Sequence, residues 1–218
     1  MKILNNIVFI CVCIFGCTMS SCEKEKVEFD TQTSISYTLT MSPDLLKFVT
    51  PQVTYVDERG VLVTVTGVEE LDNLVLENKA EISGDGYFSS AWTKQTVTGT
   101  GYKAWTINMK FRHLDFHSYM GVKYLKNELA EEPEGNNYNF HHSINTSVTA
   151  VKYEKTSKGN SITQNQSAYV DSRVTVSLNY NPGDNVESYI DNLVNSPDKA
   201  GYYVDPNGDV IRRDDFNL

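Results

Sequence analysis

Between Thr33 and Met41 apolar and polar residues alternate without a break: Ile35, Tyr37, Leu39 and Met41 interleave with Ser34, Ser36, Thr38 and Thr40. Successive side chains of an extended chain point to opposite faces, so this period of two describes a strand with one buried and one wet face. The same period returns at Trp105, Ile107, Met109 and Phe111, set against Thr106, Asn108, Lys110 and Arg112. Strands patterned in this way must cover their apolar faces, and one sheet packed on another is the economical way to do so.

Turn chemistry places the hairpins. Asp57-Glu58-Arg59-Gly60 separates Gln52–Asp57 from Val61–Val65, and Gly99-Thr100-Gly101 separates Ala91–Thr98 from Tyr102–Arg112. Leu74–Ile82, Ile144–Lys155 and Ala168–Tyr180 read as further strands, and Asn207-Gly208 joins Gly201–Val204 to Asp209–Arg212. Residues 118–130 fit a helix or a strand. Thr156–Gln166 is polar apart from Ile162 and reads as a long exposed connection. Ser42-Pro43-Asp44 opens a short helical turn through Phe48, with Ser42 as its cap. Asp184–Asn195 carries an apolar stripe (Val186, Tyr189, Ile190, Leu193, Val194), with Asp184 and Glu187 spaced as a capping box and Pro197 as the stop. About nine or ten short strands against one well-signalled helix predict an all-β fold. The expectation is an immunoglobulin-like or transthyretin-like β-sandwich spanning residues 33–218, with one short helix toward its C-terminal end.

The cysteines divide the chain differently. Cys11, Cys13, Cys17 and Cys22 all lie in the first 22 residues, and none follows. A disulfide framework in the folded body is therefore excluded. Lys2, the apolar run Ile7–Gly16 and the small residues Ser20-Ser21 compose a secretory leader. Its apolar run is too short to cross a bilayer as a helix, which takes about 20 residues. Met19-Ser20-Ser21-Cys22 resembles the lipobox of bacterial lipoproteins, with Ile14-Phe15-Gly16-Cys17 as a rival match. The Glu23-Lys24-Glu25-Lys26 that follows resembles the export signal of surface lipoproteins in Bacteroidota-type bacteria. The resemblance implies that residues 1–21 are a signal peptide, that Cys22 carries the lipid, and that residues 22–32 are a charged tether. It also implies an anchor in the outer membrane and a body facing the cell surface.

Charge and motifs narrow the function. Nineteen Lys and Arg stand against 28 Asp and Glu, a net charge of −9, which argues against a nucleic-acid partner because no basic excess is left to displace counterions. Contact with a membrane is then the work of the lipid. His113, Asp115 and His117 form His-x-Asp-x-His, which on a strand would place three metal ligands on one face; the competing reading is an outward strand face in water. Tyr87 and Trp92 are the candidates for an aromatic platform that stacks on sugar rings. No Gly-x-Ser-x-Gly elbow is present, and an acylated Cys22 leaves no thiol nucleophile. The sequence thus predicts a non-catalytic binding module without a cofactor, accessory to glycan capture. A structural or adhesin subunit of a surface fibre is the alternative, and a metal-dependent enzyme a more distant one.

Overall fold

A computed structural model describes residues 27–57, 59–76, 88–112, 115–128, 138–156, 159–180, 185–205 and 209–213, with the backbone alone for 27–31, 88, 152–156 and 159–180. Among the described residues ten strands follow one another as β1 (Val27–Met41), β2 (Val49–Val56), β3 (Leu62–Thr66), β4 (Phe88–Thr96), β5 (Lys103–Phe111), β6 (Phe116–Lys126), β7 (Tyr138–Thr156), β8 (Gly159–Tyr180), β9 (Asp198–Val204) and β10 (Val210–Arg212). Three helices interrupt them: α1 (Leu45–Phe48), α2 (Gly67–Leu76) and α3 (Val186–Val194). The strands form two five-stranded antiparallel sheets, ordered β4-β5-β1-β7-β8 and β10-β9-β6-β2-β3. The fold is an all-β sandwich with short helices at its connections.

The alternation that marks β1 and β5 is what closes the sandwich. Ile35, Tyr37, Leu39 and Met41 are fully buried, as are Trp105, Ile107, Met109 and Phe111. These two strands lie side by side, with Tyr37 opposite Ile107 and Leu39 opposite Trp105, and so form one continuous apolar surface. The second sheet answers with Val53, Met120, Val122, Tyr124, Tyr202 and Val204. Contacts bridge the layers along their length. Tyr37 Oη and Ser118 Oγ share a hydrogen bond of 2.9 Å, Tyr55 meets Trp92 edge-on at 5.1 Å, and the Phe111 and Phe116 rings lie 4.5 Å apart. Aligning rings in this way adds to the area they bury.

The hairpins expected around Gly60 and around Gly99–Gly101 form, and their glycines sit where left-handed backbone is needed: Gly60 at φ 73°, Gly99 at φ 87° and Gly101 at φ 70°. In the β2–β3 turn, Asp57 Oδ1 accepts from the backbone N–H of Arg59 (2.9 Å) and of Val61 (3.0 Å), and Arg59 clamps the other carboxylate oxygen. This is an Asx-type turn, the local bond that fixes register without help from the core. Burial raises the Asp57 carboxyl, but these hydrogen bonds and the Arg59 charge outweigh it and hold the group below its ordinary value.

Five local expectations change. Leu74 and Val75, read as the start of a strand, belong to α2, whose Val68, Leu71, Leu74 and Val75 face the core; residues 77–82 of that reading lie outside the described residues. Residues 118–126 resolve as strand, since β6 sits in mid-sheet and draws hydrogen bonds from both β2 and β9. Thr156–Gln166 is not a connection, because β7 runs to Thr156 and β8 starts at Gly159. The cap of α3 is Asn185, whose side chain accepts from Ser188 N at 2.8 Å; Asp184 lies outside the described residues. Helix α1 begins at Leu45 rather than Pro43, yet Ser42 Oγ still accepts from Leu45 N (3.3 Å) and also from His141 N (3.0 Å), tying the turn to β7.

Strand β1 gives the sandwich two unlike ends. At one end Met41 pairs with Lys103 and His142, beside α1 and the Gly99–Gly101 turn. At the other, β5 ends at Phe111 opposite Thr33, while β1 continues back to Val27 paired with β7 as far as Thr156.

Candidate functional site

Among the described residues a polar cluster lies at the β5–β6 corner, on the outward face of the second sheet. β6 and β9 pair there with His117 opposite Tyr203, and their rings lie 4.4 Å apart, tilted by 33°. Asp115 precedes β6 in a bend, with φ 62°, a left-handed conformation that aspartate tolerates better than most residues. There its Oδ1 accepts the Tyr203 hydroxyl at 2.5 Å. The Arg213 guanidinium stands 5.0 Å from the centre of the Tyr203 ring, within cation–π range. Arg213 reaches this position because its N–H donates to Gly201 O (2.9 Å) as the chain crosses β9. A Cβ on Gly201 would fall on the Arg213 carbonyl, so only glycine allows the crossing.

This geometry makes a compact set of donors and acceptors around an aromatic ring. The hydrogen bond to Asp115 raises the Tyr203 hydroxyl above its ordinary value, helped by desolvation and by the Asp115 charge. Tyr203 therefore stays a hydrogen-bond donor toward Asp115, with the Arg213 guanidinium beside its ring. Two of the three proposed metal ligands, Asp115 and His117, lie in this cluster; His113 lies outside the described residues. They do not share a strand face, because β5 stops at Phe111 and Asp115 sits in the bend. Among the described residues no group of three or more His, Cys, Asp or Glu is placed to hold a metal ion.

The proposed aromatic platform changes character. Trp92 is 5% exposed and packs on Tyr55 inside the sandwich. Its register explains this, since Trp92 pairs with the inward Ile107 and the two share a face. Trp92 is thus a core residue and offers no ring to a ligand. Tyr87 lies outside the described residues.

A second polar cluster is interior. Tyr124 and His142 are buried between the sheets, and Asp198 closes on both from the start of β9. The Tyr124 hydroxyl donates to Asp198 Oδ2 (3.0 Å), and His142 Nδ1 stands 3.2 Å from the same oxygen and 3.1 Å from the Tyr124 hydroxyl. A bare nitrogen lone pair would repel the carboxylate, so Nδ1 carries a hydrogen here. Burial pushes the Tyr124 hydroxyl well above its ordinary value, and the Asp198 charge and hydrogen bond add to the shift. Sequence reasoning found neither cluster whole, because their members are joined by strand pairing over long separations, as in Tyr203 and Asp115, 88 positions apart.

No known protein family matches the chain, and no curated protein or solved structure matches it either.

Proposed function

We propose that the protein is a lipid-anchored, non-catalytic binding module of the bacterial outer membrane, with Cys22 acylated and the sandwich facing the cell surface, accessory to glycan capture. The observation that carries the anchor is the leader itself: a basic residue, a ten-residue apolar run and Ser-Ser-Cys, followed by a body without a single thiol. Strand β1 starts at Val27, five residues after Cys22, so residues 27–32 belong to the sheet rather than to the tether expected over 22–32, and the reading requires only a short tether. The binding surface is the Asp115–His117–Tyr203–Arg213 cluster. A ring edged by a carboxylate and a guanidinium suits a polyol, whose hydroxyls both donate and accept while its C–H faces pack on aromatic carbon. The test has two parts. Mass analysis of the protein purified from native envelopes will find Cys22 N-terminal and acylated, and an intact leader would end the anchor reading. Retention on immobilised polysaccharides will weaken in Tyr203→Ala; retention of neither form, or of both equally, would remove the cluster from binding.

The fibre-subunit reading draws on one observation. β8 forms the edge of the first sheet over 22 residues, and among the described residues no strand pairs along its outer side. Such an edge accepts an added strand. It predicts polymers in unboiled samples of native envelope, and a uniformly monomeric protein would exclude it.

A further inference from the structure

We infer that the overhang of β1, β7 and β8 stands on the lipid surface, so that the end of the sandwich bearing α1, α3 and the Gly99–Gly101 turn points away from the membrane. The inference rests on the acylation of Cys22 proposed above. Strand β1 is covered by β5 only from Thr33 onward, where Thr33 pairs with Phe111. From Val27 to Gln32 its only partner among the described residues is β7, from Thr156 to Val151, and β8 carries the same ribbon back from Gly159. Six residues at about 3.3 Å each extend this three-stranded ribbon roughly 20 Å past the end of β5.

The length of chain outside the ribbon fixes what can touch the membrane. From Cys22 to Val27 there are five residue steps, and no path through them exceeds about 18 Å. Val27 lies at the free end of the ribbon, while Met41, at the opposite end of β1, is about 46 Å further along the strand. The lipid therefore holds the ribbon end near the surface and cannot reach the α1 end. Charge selects between a standing and a lying body. Loss of Lys2 with the leader changes the net charge from −9 to −10, and residues 22–32 and 151–166 together hold five lysines and five carboxylates. The whole acidic excess thus belongs to the body, which an anionic surface repels, while tether and ribbon taken together carry no net charge. A standing ribbon also raises the Asp115–Tyr203 cluster clear of the headgroups.

Single thiols test this directly, because acylation leaves the chain without any other. Thr156→Cys labels the ribbon end and Thr100→Cys the opposite turn; Lys152→Cys is a second ribbon position should the first disturb folding. Each lipidated variant is labelled with a fluorophore and placed in vesicles of phosphatidylethanolamine and phosphatidylglycerol containing a nitroxide-headgroup lipid. Ribbon labels will be quenched several-fold more than the Thr100 label. Equal quenching at both ends, or stronger quenching at Thr100, would overturn the orientation while leaving the anchor intact. A chain whose Cys22 carries no lipid, with neither label quenched, would overturn the anchor and the orientation with it.

Discussion

Asp72 and Asp198 each send a carboxylate to an aromatic donor of the core, but in different company. Asp72, on α2, accepts the Trp105 indole N–H at 2.8 Å and also meets Lys94 at 2.5 Å, so a full cation balances it. Burial raises this carboxyl, yet the Lys94 and Trp105 hydrogen bonds, with the Lys94 and Lys103 charges, hold it below its ordinary value. Asp198 meets two buried donors, Tyr124 and His142, and its side chain is 14% exposed where that of Asp72 is 34%. The first pair is a staple with a wet back; the second is a dry joint between β6, β7 and β9. A half-exposed partner can return to water when its bond is lost, and a buried one cannot.

That contrast can be broken by mutation. Trp105→Ala is expected to cost most, about 3–5 kcal/mol, because it empties a fully buried indole site and frees α2 at once. A urea midpoint measures it. Asp198→Ala follows at about 2–4 kcal/mol, since the Tyr124 hydroxyl and the His142 ring lose the acceptor they share inside the sandwich and keep only each other. Asp72→Ala should cost only about 1–2 kcal/mol, because Lys94 is freely rehydrated and one indole N–H remains. If thermal melts give the two aspartate variants equal losses, the distinction between staple and joint fails. Tyr124→Phe removes one donor without opening a cavity and is expected near 1 kcal/mol; the double variant with Asp198→Ala should then be clearly less than additive.

The smallest effect concerns acid. Asp44 and Asp57 resemble Asp72 in this respect, since burial raises each carboxyl but hydrogen bonds and neighbouring cations win, and all three lie below their ordinary value in the folded protein. A depressed folded value means that the unfolded chain binds protons first. The stabilisation is therefore complete above the unfolded value near 3.8 and is lost as pH falls through the folded ones. Melting temperature should hold to about pH 5 and drop below pH 4. Asp57→Asn is expected to flatten that acid limb, and an unchanged limb would remove the β2–β3 turn from it.

Much of the body is legible in the sequence because burial writes a period into it. β1 and β5 each have one face in the core, and their alternation fixes both the strands and their inward residues. The overhanging half of the β7–β8 ribbon runs past the end of β5, and residues 156–166 are polar apart from Ile162, so their sequence resembles a loop. Helix α2 went the other way. Val68, Leu71 and Val75 keep helical spacing, but Leu74 and Val75 also suit the start of a strand, and only packing beside β4 decides between them. Composition leaves the face of Trp92 open, and the hairpin's register, which sets it opposite the inward Ile107, assigns it to the core. The Tyr203 cluster was half visible, since Asp115 and His117 are neighbours in sequence while Tyr203 and Arg213 join them only through the β6–β9 pairing and the glycine crossing.

The two indoles have a spectroscopic consequence. Trp92 and Trp105 are the only tryptophans, and both are enclosed by the layers, on adjacent antiparallel strands. Their emission will be blue-shifted and shielded from dissolved iodide. It will turn red when the layers part, and stay unmoved when a ligand settles on the outer surface. The protein thus carries its own thermometer of integrity, deaf to its surroundings until the moment it melts.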